Sequence, residues 1–157
     1  MASSSSLGLL AVEMTVRQLC TWNVGIRKNE PVTSSVNLST VQFINPLLAD
    51  QIEEIVEAQH IPHELLRFEI TESAIMADME SANIMLLKLK SKKHKLYMDD
   101  FGTGYSSLSY LRHFPVDVLK IDQSFVKWMG LDEESDTIVK TIIELAHNLH
   151  MEVVAEG

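Results

Sequence analysis

Cysteine is nearly absent from this chain: its 157 residues include one, Cys20, which excludes a disulfide framework and a cysteine-based metal site. Cys20 lies in an apolar helical pattern, where its expected role is core packing. Long hydrophobic runs are also missing. No stretch approaches the roughly 20 apolar residues needed to cross a bilayer, and the start lacks the charged and apolar regions of a secretory signal. The chain therefore reads as cytoplasmic, with no membrane insertion. Positive charge is scarce too: 13 Lys and Arg against 22 Asp and Glu leave a formal charge of -9. That balance argues against a DNA or RNA polymer as partner, because backbone binding needs clustered cations to replace condensed counterions. A small anionic ligand could still bind through metal ions.

What is present suits a soluble globular domain, with 46% apolar and 22% charged residues. Ser3 to Ser6 form a low-complexity patch, so residues 1–7 are expected to be a disordered or expression-derived tail and residues 8–157 the domain. From Leu9, the residues Val12, Val16, Leu19 and Cys20 recur at three- and four-residue steps and predict a helix to about Trp22. Val36 and Leu38 alternate with polar neighbours in a short strand over 35–39. Leu48, Ile52, Ile55 and Val56 mark a second helix, ended near His60 by the approach of Pro62. A strand over 66–71 follows. Asp78 can cap a helix that buries Ala82, Met85, Leu86 and Leu89, and Lys92, Lys93 and Lys95 read as its solvated end. Then come a strand over 96–99, a glycine-containing loop, a helical segment over 108–111 and a strand over 118–122. A long amphipathic helix through Ile138, Ile142, Leu145 and Leu149 leads to a last strand over 152–156.

Strands separated by helical patterns at intervals of about 25 to 35 residues define βα units of a parallel sheet or barrel. Polar residues stand at or near the carboxyl ends of those strands: Asn37, Glu69, Asp99, Lys120, Asp122 and Glu156. In a TIM-type barrel that rim carries the chemistry. Any one of these residues is as easily a strand end or helix cap; the whole set at one end of nearly every strand is much harder to explain that way. Asp99 and Asp100 are adjacent, and adjacent carboxylates repel unless a cation removes the cost. If Asp99 bridges two ions while Asp100 binds one, they build the two-metal clamp used in phosphodiester hydrolysis. The oxygen-rich set of Asn37, Glu69, Asp99 and Asp100 suits Mg²⁺ or Mn²⁺, whereas zinc attracts His or Cys. Lys120 is either an ion-pair partner or a group that orients water or a phosphate oxygen.

The stretches Ser35-Val36-Asn37-Leu38-Ser39, Phe68-Glu69-Ile70-Thr71-Glu72-Ser73, Asp99-Asp100-Phe101-Gly102-Thr103-Gly104-Tyr105-Ser106-Ser107, Leu119-Lys120-Ile121-Asp122 and Val153-Val154-Ala155-Glu156-Gly157 resemble the EAL family of bacterial cyclic-di-GMP phosphodiesterases in order and spacing. The resemblance implies a partial TIM-type (β/α) barrel of about five βα units that lacks the strands needed for closure. It implies Asn37, Glu69, Asp99 and Asp100 as metal ligands, Lys120 and Glu156 as residues that position or deprotonate the attacking water, and Asp122 as their support. Glu72 is implied as the anchor of a mobile substrate loop made of Phe101, Gly102, Thr103, Gly104, Tyr105 and Ser106. The implied reaction is hydrolysis of cyclic di-GMP to the linear dinucleotide pGpG in second-messenger signalling. Nothing before Asn37 matches the strand with the Glu-Ala-Leu signature, and the family's final strand is missing. This predicts an incomplete two-metal site, little activity for the chain alone, and a homodimer or partner segment that completes the barrel. A degenerate EAL domain serving as a cyclic-di-GMP-binding or protein-interaction module is the alternative. A TIM-barrel enzyme acting on a sugar phosphate would explain the strand-end carboxylates but not the Asp-Asp-Phe-Gly-Thr-Gly-Tyr-Ser run.

Overall fold

The computed structural model describes residues 4–25, 30–102 and 111–156. Five parallel strands form one sheet in sequential order: β1 (Ser34–Leu38), β2 (Leu66–Thr71), β3 (Lys95–Phe101), β4 (Val118–Ile121) and β5 (Glu152–Ala155). The helices are α1 (Ser4–Gly25), α2 (Thr40–Phe43), α3 (Leu48–Ala58), α4 (Glu72–Ala77), α5 (Met79–Ser91), α6 (Gln123–Val126) and α7 (Glu133–Asn148). A 3₁₀ turn, His63–Leu65, leads into β2. Among the described residues the sheet is open, with β1 and β5 at its edges. The partial barrel of five βα units is therefore the fold observed.

Register explains how the sheet separates two environments. Val36, Phe68 and Leu96 share one row, and Leu38, Ile70, Met98 and Leu119 the next. All of them are buried, against helices that supply Val56, Ile75, Leu86, Leu89 and Val139 to the same core. The intervening rows carry Asn37, Arg67, Glu69, Tyr97, Lys95, Lys120 and Glu152 on the other face. There Arg67 stacks on the Tyr97 ring at 5.5 Å and Lys95 pairs with Glu152 at 3.0 Å. Such a face is polar because the period of two sends every second residue away from the core.

The helices follow their apolar stripes, with local differences. In α1, Val12, Val16 and Leu19 are fully buried, while Leu9 and Cys20 pack at the margin of the core. The helix begins at Ser4. It also continues past Trp22 to Gly25. Asn23 then clamps the following connector, accepting from Val32 N at 2.8 Å and donating to Val32 O at 3.0 Å. The α5 face is as predicted, with Asp78 accepting from Ser81 N and Ala82, Met85, Leu86 and Leu89 buried. In α7 the buried stripe runs through Val139, Ile142 and Ala146, and the larger Ile138, Leu145 and Leu149 flank it half-buried. A small alanine at the contact lets the helix approach the sheet. Lys95, expected as part of a solvated helix end, instead opens β3.

Gly8 permits a close approach that a side chain would prevent. A Cβ built there would lie 1.8 Å from Gln42 Nε2, and Gln42 is 2% exposed. The Gln42 carboxamide oxygen accepts from Ser39 N at 2.7 Å and Ser39 Oγ at 2.8 Å, closing the capping box of α2. Helix propensity alone would make Gly8→Ala stabilising by up to ~1 kcal/mol. Displacement of Gln42 reverses the sign, and the variant should lose about 1–3 kcal/mol in urea unfolding. A raised urea midpoint would contradict this packing.

Asp132 caps α7 by accepting from Glu134 N and Ser135 N. Hydrogen bonds from the Ser135 side chain and backbone hold its carboxyl below the usual value. A depressed folded-state pKa contributes stability above the unfolded value of about 3.9, and that contribution is lost as pH falls through the folded value. Asp132→Asn keeps a capping oxygen without the charge. The variant should be less stable than the parent at neutral pH, and the difference should shrink as pH falls below about 4, giving a shallower acid-unfolding curve.

Candidate functional site

The site lies at the carboxyl ends of the strands, and its geometry begins with an irregularity in β3. Met98 pairs with Leu119, but the next pair is Phe101 with Ile121, so Asp99 and Asp100 together oppose the single residue Lys120. Asp100 takes φ +56°, the left-handed conformation, and its amide donates to Asp99 Oδ1 at 2.9 Å. In a regular strand Asp100 would point into the core and Phe101 out of it. The bulge reverses both assignments: Phe101 is 4% exposed in the core, and Asp100 is half-buried at the rim. Two consecutive acidic residues thus serve one side of the sheet.

Lys120 ties the rim together. Its Nζ donates to Glu69 Oε2 at 2.9 Å and lies 3.2 Å from Asp99 Oδ2 and 2.6 Å from Glu156 Oε1. The four residues come from β2, β3, β4 and the residue after β5. Burial pulls the Lys120 ammonium toward a lower pKa. Hydrogen bonds to Glu156, Glu69 and Asp99 outweigh that effect and leave it above the ordinary lysine value. Lys120 is therefore protonated at neutral pH and can donate or orient, but it cannot accept a proton.

The remaining predicted residues divide by environment. Asn37 is exposed on β1, in register with Glu69 and on the same polar face. Asp122 accepts from Ser124 N at 2.9 Å as the cap of α6, and Ser124 lowers its pKa. It also reaches the cluster through its charge. Asp100 is pushed above the usual carboxylate value by burial first, then by Asp99, Asp122 and Glu156, with Lys120 partly opposing them. Glu72 is 6% exposed at the start of α4, and it lines a small cavity with Met98, Phe101, Leu111 and Phe114. Gly102 has φ +97°, and a Cβ there would lie 3.1 Å from the Phe125 ring, so glycine is needed on both counts. Thr103, Gly104, Tyr105 and Ser106 lie outside the described residues, as do Ser107 and Gly157.

The donor chemistry fits a divalent cation. Among the described residues Glu69, Asp99 and Glu156 converge on the Lys120 ammonium, while Asp99, Asp122 and Glu156 act on Asp100 through their charge, in addition to its burial. All donors in the predicted ligand set are oxygen atoms, which hard cations prefer. A second group of potential ligands, Glu53, His63 and His94, sits at the opposite ends of the strands. No repeated sequence position marks this group; its one local trace is His94, which with Lys95 precedes the apolar residues Leu96, Tyr97 and Met98 of β3.

Comparison with known proteins agrees with this architecture. Residues 2–157 match the EAL domain family. The chain is 33% identical over 151 residues to MucR of Pseudomonas aeruginosa, a bifunctional diguanylate cyclase/cyclic di-GMP phosphodiesterase, covering 96% of this chain and 22% of MucR. It is 36% identical over 129 residues to the cyclic di-GMP phosphodiesterase NbdA of the same organism, covering 82% of this chain and 16% of NbdA. Among solved structures, the EAL domain of Mycobacterium smegmatis DcpA superposes with a TM-score of 0.90 at 32% identity, over 99% of this chain and 69% of that one. The MucR phosphodiesterase in complex with c-di-GMP gives a TM-score of 0.87 over 96% of this chain and 60% of that one. A parallel sheet whose strand ends gather acidic residues around one lysine defines an EAL-type α/β domain, and the chain belongs to the EAL family. It spans about a fifth of the length of the curated relatives it matches.

Removal of the ammonium should expose the charge imbalance. Lys120→Met leaves Glu69, Asp99 and Glu156 facing one another without a counterion. In metal-free buffer the variant should lose about 3 kcal/mol of unfolding free energy at neutral pH. The deficit should shrink as pH is lowered and the carboxylates are neutralised. Equal stability of variant and parent at neutral pH would show that Lys120 does not hold the rim together.

Proposed function

We propose that this chain carries the metal-dependent site that hydrolyses one phosphodiester bond of cyclic di-GMP to give pGpG, in cytoplasmic second-messenger signalling. The observation that carries the reading is the bulged Asp99-Asp100 pair, which turns two adjacent carboxylates to the rim shared with Glu69, Lys120 and Glu156. Asn37, Glu69, Asp99 and Asp100 would hold Mg²⁺ or Mn²⁺. Bound there, the ions would acidify water and neutralise charge on the phosphate.

The chain's own groups divide the remaining work. Lys120, protonated and fixed by three carboxylates, orients Glu69 and Asp99 and offers positive charge to a developing phosphate oxygen. The Glu156 side chain is 38% exposed and hydrogen-bonded on one oxygen, so the same carboxylate can face the ligand side and accept a proton from attacking water. Asp122 holds the start of α6 and adds negative potential. Glu72, which lines one cavity with Phe101 and Leu111, is the residue proposed to anchor the loop that follows β3. Attack of water forms a P–O bond as the P–O bond to the ribose 3′ oxygen breaks, and that oxygen leaves as a hydroxyl after protonation.

The resemblance to MucR and NbdA supports the substrate assignment, since both are named cyclic di-GMP phosphodiesterases. The open β1 edge supports completion by a further strand, from a second copy or a partner segment, carrying another carboxylate beside Asn37. Alone, the chain should convert cyclic di-GMP to pGpG slowly in Mg²⁺ or Mn²⁺. A covalently added or separately supplied strand should raise the rate at least tenfold, and Asp99→Asn should then lower it at least 100-fold. Tight nucleotide binding with no turnover in the completed form would favour a binding module over a phosphodiesterase.

A further inference from the structure

Glu53, His63 and His94 meet at the amino ends of β2 and β3, the opposite pole of the sheet from the acidic rim. Glu53 comes from α3, His63 opens the 3₁₀ turn before β2, and His94 directly precedes β3. His94 is completely buried and Glu53 is 7% exposed. His94 Nε2 lies 2.9 Å from Glu53 Oε1, and His63 Nε2 lies 2.9 Å from Glu53 Oε2. Two imidazoles therefore aim one nitrogen each at the two oxygens of a single buried carboxylate.

The protonation pattern of His94 can be worked out from its neighbours. Its Nδ1 lies 3.0 Å from the His63 carbonyl oxygen and 3.1 Å from that of Leu66. Carbonyl oxygens only accept, so Nδ1 carries a proton. In the neutral ring Nε2 then presents a lone pair toward Glu53 Oε1, and two lone pairs at 2.9 Å repel. Something positive must relieve that repulsion: a proton, carried by either partner, or a metal ion. Metal-binding histidines characteristically donate their other N–H to a backbone carbonyl, which fixes the tautomer and aims the ligating nitrogen. His94 has that arrangement.

We propose that Glu53, His63 and His94 form a second divalent-cation site, one that takes a borderline ion of the Zn²⁺ class and joins α3 to the amino ends of β2 and β3. Two imidazoles and one carboxylate are the donor set zinc accepts in three-residue sites, with water completing the tetrahedron. The three ligand atoms already lie within 4.8 Å of one another, and bonds of about 2.0–2.2 Å require only small side-chain shifts. The His63 side chain is 29% exposed and gives water and the ion a route of entry. Lys92 Nζ, 3.7 Å from Glu53 Oε2, is the local competitor. Its side chain is half exposed and already 3.6 Å from Glu57, to which it can move when the ion enters. The nitrogen-containing pole and the all-oxygen rim thus select different metals.

Titration of the metal-stripped 157-residue chain with Zn²⁺, in excess Mg²⁺ to occupy the rim, tests the site. One equivalent should bind in competition with a chromophoric chelator, the melting midpoint should rise with Zn²⁺, and ¹⁵N spectra should show His63 and His94 Nε2 shifting. Mg²⁺ alone should leave those ring signals in place. His63→Gln alters a partly exposed side chain outside the buried core, and it should weaken Zn²⁺ at least tenfold, whereas Asp99→Asn should leave the affinity unchanged. Glu53→Gln provides a second ligand deletion. Zinc binding that survives His63→Gln and disappears in Asp99→Asn would overturn the proposal, as would ring signals in the parent chain that do not respond to Zn²⁺.

Discussion

The one extra residue in β3 governs the site. A strand alternates its side chains between two faces, so consecutive aspartates in a regular strand would put one carboxylate in the hydrophobic core, at a cost of several kcal/mol unless it were neutralised. By taking Asp100 into the left-handed region, the chain returns Phe101 to the core row opposite Ile121 and keeps both carboxylates at the rim. A left-handed conformation costs a non-glycine residue roughly 1–2 kcal/mol, and aspartate tolerates it better than most because its short side chain can hydrogen-bond locally. The turn is also held by the Asp100 amide, which donates to the preceding carboxylate. Burial of Phe101 and the avoidance of a carboxylate in the core offset that strain.

With both carboxylates fixed, the charge distribution follows. Among the described residues, Lys120 is the one cation placed among Glu69, Asp99 and Glu156, and it meets oxygen atoms from neighbouring strands at 2.6–3.2 Å. Its row in the sheet explains why a charged residue occupies a strand whose neighbours Leu119 and Ile121 are core. The opposite pole has its own polar cluster, but the chemistry differs. There a carboxylate meets two imidazoles under the helices, and the carboxylate is shared between α3 and the segments that lead into β2 and β3. The sheet carries hard oxygen donors at one end and nitrogen donors at the other.

Much of this was legible in sequence because alternation and spacing carry the fold. The five strands, the apolar faces of α1, α3 and α5, and the Asp78 cap follow from local periodicity. The rim was legible as a repeated polar position at strand ends, and Asp99 with Lys120 and Glu69 lies together in space as that repetition suggests. The bulge was not legible, since two adjacent aspartates look the same in a regular strand, a turn or a bulge. Nor was the exact face of α7, where Ala146 contributes little to a hydrophobic pattern yet sits deepest against the sheet. The Glu53–His94 contact joins residues 41 positions apart, and no local pattern announces a pairing of that range.

The excess of acidic groups at the rim sets an order of events for any phosphate-bearing ligand. A phosphate approaching Glu69, Asp99, Asp122 and Glu156 meets the field of several negative charges, against which the described residues set the Lys120 ammonium. Cations are drawn to the same place and reverse the sign of that field. In the proposed reaction, ion occupancy would be an electrostatic precondition for docking of the phosphate. On the proposed reading the rim would act as a coincidence detector, admitting an anion only after cations have arrived.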